Sequence, residues 1–125
     1  MEELKFYICR HCGNIITYFK NSGVPVMCCG EKMQELVPGT VEAAHEKHIP
    51  VIKTEGNKVT VTVGSILHPM LKEHYIEWIT LVTKQGIQTK RLSPDSAPSA
   101  VFAIADGDEP VNAYAYCNLH GLWKN

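Results

Sequence analysis

The sequence predicts a mainly β protein: a small cysteine-rich metal-binding head, residues 1–37, followed by an antiparallel β-sandwich over residues 38–125. Three observations predict it. Cys9, Cys12, Cys28 and Cys29 crowd into the first stretch, whose apolar runs are short. From His48 onward, β-branched and aromatic runs alternate with turn signals. No segment carries a sustained 3.6-residue apolar period.

In the head, "NIITYF" and "VPVM" are punctuated by Gly13, Gly23 and Gly30. So little apolar mass cannot sustain an independent core, because chains below about 40 residues need a metal, disulfides or a partner subunit to fold. "VPGTVEAAHEKH" reads as the linker and approach to the second unit. Within it "EAAHEKH" has the composition of one helical turn, but its shortness and Pro50 argue against a stable helix.

The sandwich begins with "HIPVIKT" and "KVTVTVG", which pair antiparallel across the turn "TEGN". Val59, Val61 and Val63 alternate with Thr60 and Thr62, as in a strand with one buried and one solvated face. "HYIEWITLVTKQGIQTKRL" supplies a second hairpin around Gln85 and Gly86. After the proline-rich "SPDSAPS" come "AVFAIAD" and "VNAYAYC", separated by "GDEP". Six or seven strands with turns between them suit a sandwich whose loops gather at one end.

A net charge of −1, from 12 basic and 13 acidic residues, gives no global field to attract nucleic acid or an anionic membrane. No stretch approaches the ~18 apolar residues of a membrane span, and "MEELKFYICR" lacks the apolar run of a signal peptide. The expected location is the cytoplasm. There thiols are held reduced, so five cysteines, an odd count, point to metal ligation or redox chemistry before a disulfide framework.

Cys9-x2-Cys12 followed by the adjacent Cys28 and Cys29 offers four soft anionic donors, suited to zinc or iron in a roughly tetrahedral site. The adjacent pair demands a sharp backbone bend. Spacing alone leaves a structural zinc knuckle, an electron-transfer iron and, less favoured, disulfide pairing open. A second constellation lies in the sandwich: His48, His68, His74 and His120 at turns or strand ends, with Cys117 in a Cys-x2-His turn. Imidazoles suit iron, copper, zinc and nickel, and a thiolate in the same shell donates electron density. Backbone N–H groups of such a turn can point at the sulfur and tune it. His11 and His45 fit neither set and read as surface or packing residues. Trp78 and Trp123 read as core or as an apolar wall of the metal site.

"EKHIPVI", "HPM", "EHYIEWI" and "CNLHGLW", preceded by the four clustered cysteines, resemble desulfoferrodoxin, the two-iron superoxide reductase, in order over nearly the whole chain. The resemblance implies a desulforedoxin-like head on an immunoglobulin-like sandwich and two iron ions per chain. One is a rubredoxin-like iron on Cys9, Cys12, Cys28 and Cys29. The other is a mononuclear non-haem iron with His48, His68, His74 and His120 in a plane and Cys117 axial, His120 using its other ring nitrogen. The implied activity is one-electron reduction of superoxide to hydrogen peroxide at the sixth position. Lys47 would attract the anion, and Glu46 matches the family carboxylate that can occupy that position in the ferric state, both on a mobile loop beside His48. The resemblance also implies a rubredoxin-like electron donor, and the head's small size a homodimer. The alternatives are a rubredoxin-like electron-transfer protein and a zinc-bearing binding module.

Overall fold

A computed structural model describes residues 3–125. They form two compact units that divide between Val37 and Pro38. Among the described residues no helix is long and apolar enough to cross a membrane.

The head has a three-stranded antiparallel sheet in the order β2-β1-β5, formed by β1 (Phe6–Ile8), β2 (Ile15–Ile16) and β5 (Gln34–Leu36), and a ribbon of β3 (Met27–Cys28) with β4 (Glu31–Lys32). Its buried apolar side chains are Phe6, Ile8, Cys9, Met33 and Leu36. Phe19, Val24 and Met27 lie exposed. So small a core agrees with the expectation that burial alone does not hold this unit together.

The second unit opens with a single helical turn, α1 (His45–His48), where the sequence argued against a helix. Contacts from elsewhere in the fold stabilise it. The Glu46 carbonyl accepts the Ile66 amide at 3.0 Å and the Ser65 hydroxyl at 3.3 Å, so the segment expected as a mobile loop is pinned. Seven strands follow: β6 (Pro50–Glu55), β7 (Lys58–Val63), β8 (Ile76–Thr83), β9 (Gly86–Arg91), β10 (Ser99–Ala103), β11 (Pro110–Cys117) and β12 (Gly121–Lys124). They make two antiparallel sheets, β10-β7-β6 and β12-β11-β8-β9. The β6–β7 and β8–β9 hairpins fall where the turn residues place them. β12 is an additional strand, in a stretch read only as a closing turn.

One core joins the sheets. Val59, Val61 and Val63 of β7 and Phe102 of β10 meet Ile79 and Leu81 of β8 and Ala113 and Ala115 of β11, nearly all with no exposed surface. The alternation of β7 is the expected one. β8 departs from it: Thr80 is as buried as its neighbours, its hydroxyl paired with that of Thr89 at 2.7 Å. On the same face Trp78 stacks on Tyr116 across the β8–β11 pair, ring centroids 5.6 Å apart. The β8–β11 register also slips between Tyr116 and Cys117, so that Tyr116 opposes Trp78 while Cys117 opposes Ile76. Such a bulge re-aims the strand end, and Cys117 emerges fully buried.

Candidate metal centres

In the head the sulfur atoms of Cys9, Cys12, Cys28 and Cys29 all lie within 4.8 Å of one another, and none is in a disulfide. The Cys9 knuckle is closed by its own backbone, the Gly13 amide donating to the Cys9 carbonyl and the Cys9 amide to the Asn14 carbonyl, each at 2.9 Å. The sharp bend expected of the adjacent pair is present: Cys29 has φ 50°, a left-handed conformation that costs a side-chain-bearing residue about 1–2 kcal/mol. Cys12 and Cys28 bring their sulfurs to 3.6 Å, and the Asn14 side-chain amide donates to Cys28 Sγ.

Crowding drives these thiols apart in acidity. Cys9 is lowered to about 6, chiefly by the Cys12 backbone amide, whereas its hydrogen bonds with Cys9 and Cys12 raise Cys29 to about 12. Four sulfurs this close cannot all be anionic unless a cation shares their charge. The set fits a thiophilic metal ion.

In the second unit α1 ends on His48, the loop after β7 carries His68, a short bridge between Leu71 and His74 carries His74, and the turn from β11 to β12 carries Cys117 and His120. The donor atoms of His48, His74, Cys117 and His120 lie within 4.8 Å of one another. His68 joins them through His48, the two Nε2 atoms 3.2 Å apart. His120 presents Nδ1, which lies 3.2 Å from His48 Nε2 and 3.9 Å from Cys117 Sγ. All five residues singled out from sequence are therefore brought together.

The protonation pattern tests whether a metal fits. His48 Nδ1–H donates to the Ala44 carbonyl at 2.7 Å, and His68 Nδ1–H to the Pro69 carbonyl at 2.6 Å. Each neutral ring then has only a lone pair at Nε2. Those lone pairs face one another at 3.2 Å, an arrangement a cation between them relieves. The buried Nε2 of His74 has no hydrogen-bond partner. Burial lowers the pKa of His48, His68 and His74, that of His68 to about 4, so these rings are neutral donors at pH 7. Burial raises the pKa of Cys117, while the backbone amides of Leu119 and His120 oppose that shift by hydrogen-bonding the sulfur. Five donors, three of them neutral imidazoles of which His48 and His68 are buried, fit a transition-metal ion.

Glu46 and Lys47 are exposed on α1, and the Lys47 charge adds to burial in lowering both His48 and His74. His45 packs edge-on against Trp123, centroids 5.3 Å apart, and His11 pairs with Glu31 at 3.1 Å, so neither joins a donor set. Three residues have supporting roles that the sequence did not spell out. Gly64, at φ 89°, lies so close to α1 that a Cβ there would sit 2.9 Å from the Glu46 oxygen and the Lys47 Cα. Asn118 bonds to the backbone on both sides of His74, and Trp123 stacks on His48. Trp123 was legible only as core or wall, and it is both. Asn118 lies inside the Cys-x2-His turn, where a polar residue between two donors was the available clue.

The desulfoferrodoxin family profile matches residues 40–125. The chain is 46% identical over 122 residues to the desulfoferrodoxin of Nitratidesulfovibrio vulgaris, covering 98% of this chain and 95% of that one. It is 42% identical over 124 residues to a desulfoferrodoxin homolog of Archaeoglobus fulgidus, covering 99% and 98%. Among solved structures, the superoxide reductase from Treponema pallidum superposes with a TM-score of 0.85 at 43% identity, covering 99% of both chains. With two donor clusters in place and the similarity running from the head through the last strand, the chain belongs to the desulfoferrodoxin family.

Proposed function

We propose that this protein is a superoxide reductase carrying two iron centres, one on Cys9, Cys12, Cys28 and Cys29 and a catalytic one on His48, His68, His74, His120 and Cys117. The observation that carries the reading is the convergence of His48, His74 and His120 on a fully buried thiol, with His68 joined through His48 and the Nε2 lone pairs of those two rings directed at each other. The names of the similar proteins support it: those of Pyrococcus horikoshii and Treponema pallidum are superoxide reductases. On this reading residues 1–37 are the electron-storing module and residues 38–125 the catalytic one.

Iron in the second cluster supplies the electron for reducing superoxide to hydrogen peroxide. The protein's own groups prepare that chemistry. The carbonyls of Ala44 and Pro69 hold the protons of His48 and His68 at Nδ1 and keep each Nε2 free. The amides of Leu119 and His120 stabilise the Cys117 thiolate against the cost of burial. Lys47 supplies a positive charge beside His48 for drawing in a small anion, an attraction that weakens with salt. To Glu46, on the same turn, we assign the role of the family carboxylate that would compete with that anion.

The electron donor we assign is a small rubredoxin-like carrier. Free cysteines throughout agree with a reducing compartment, the cytoplasm. The exposed Phe19, Val24 and Met27 on so small a head support a homodimer. The test of function is to mix the reduced, iron-loaded protein with a superoxide pulse and follow iron oxidation, peroxide and oxygen together. Rapid oxidation with one peroxide per superoxide and no oxygen is expected. Oxygen in the proportion of a dismutase, or sluggish oxidation, would overturn the reading.

A further inference from the structure

The turn that supplies Cys117 and His120 also grips two of the other donors. Asn118 straddles His74: its side-chain amide donates to the Glu73 carbonyl at 3.0 Å, its side-chain oxygen accepts the Tyr75 amide at 2.9 Å, and its own amide reaches the Tyr75 carbonyl at 3.3 Å. The buried Nε2 of His74 has no hydrogen-bond partner, so the backbone around it, held by Asn118 on both sides and by the bridge to Leu71, bears on where that ring points. Trp123 is 1% exposed and stacks on His48, centroids 4.8 Å apart and planes 29° from parallel. Its indole N–H donates to the His120 carbonyl at 3.0 Å, and the His45 ring packs edge-on against it.

We propose that the 117–123 turn is the template of the catalytic cluster, with Asn118 a positioning residue for His74 and Trp123 a positioning residue for His48 and His120. One segment then supplies two donors and orients two more. His68 is set outside this turn, by its bond to the Pro69 carbonyl and by its amide, which donates to the Val63 carbonyl at 3.2 Å, while His48 and His74 have further holds of their own at the Ala44 carbonyl and in the bridge to Leu71. An imidazole binds a metal along one direction in the plane of its ring, so a residue that fixes that plane acts on affinity and potential without touching the ion.

The inference rests on reading the cluster as an iron centre, and the experiment separates the two. Full-length iron-loaded protein is compared with Asn118→Ala, Trp123→Phe and Trp123→Leu. Two quantities are read: release of ferrous iron from the histidine–thiolate centre to a chelator, and the reduction potential of each centre. Release in Asn118→Ala and Trp123→Leu should be faster by about 10-fold or more, the range of partners that orient metal ligands. The potential of that centre should shift while that of the four-cysteine centre stays put. Trp123→Phe, which keeps a ring against His48 and loses the N–H, should fall between wild type and Trp123→Leu. Wild-type release and potentials in the variants, whatever their melting temperatures, would overturn the template. A wild-type chain that loads iron only on its four cysteines would overturn the iron reading instead. Should Trp123→Leu fail to fold, Asn118→Ala and Trp123→Phe decide.

Discussion

Cys117 has no exposed surface, burial pushes its thiol up, and the Glu77 carboxylate adds to that push. Two backbone amides oppose this, and a bound cation completes the compensation. Cys117→Ser should therefore abolish superoxide reduction and the visible signature of the histidine–thiolate iron, leaving the four-cysteine centre intact, as absorption spectra of the iron-loaded variant will show. An unchanged rate would deny the thiol its role. Lys47→Ala acts differently, because its side chain is a charge beside the cluster and no donor in it. It should slow the reaction with superoxide and flatten its dependence on ionic strength, measured by pulse radiolysis across a salt series. The structure gathers into two clusters all nine residues that the sequence singled out, the four thiols through their spacing and the histidines with Cys117 through the family resemblance, since each histidine taken singly reads as a packing or surface residue. Asn118, Trp123 and Gly64 were not legible in their roles, because each acts on a residue far away along the chain.

Among the elements, the β6–β7 and β8–β9 hairpins were readable because Gly56 and Gly86 act on their immediate neighbours. The helical turn α1 was not readable, for its stability comes from the loop after β7. Gly64 makes that contact possible: an added Cβ would clash with the Ile66 carbonyl oxygen, and φ 89° strains any side-chain-bearing residue. Gly64→Ala should cost about 1–3 kcal/mol of stability and raise the rate of iron loss, since His48 and His68 flank the displaced contact, as denaturant melts and chelator release will test. Burial of Thr80 and Tyr114 on the second face of the four-stranded sheet was equally hidden, because alternation along one strand does not reveal what covers its outer side.

At the scale of the whole molecule, the neutral histidines tie stability to pH. In the metal-free protein His68 titrates at about 4, while an unfolded chain takes up that proton near 6.5. Between those values the unfolded state binds more protons, so stability is full above about pH 6.5, falls as pH drops toward 4 and levels off below it. Thermal melts of the metal-free protein over that range should show the decline, and His68→Leu should flatten it. The proposed homodimer is tested at the same scale. Replacing exposed Phe19 with Asp should shift sedimentation from dimer toward monomer at a given concentration, with the histidine–thiolate centre spectroscopically unchanged.

The placement of donors along the chain also orders events during biosynthesis. The head has its last donor at Cys29, whereas the second cluster waits for His120. At elongation rates of about 5–20 residues per second, the ribosome exposes the first set on the order of 5–20 s before the second. A nascent chain can thus be metallated at its head while three imidazoles of the other site stand without their thiol. Donor availability is sequential by construction, and the histidine–thiolate cluster is the later one to be completed.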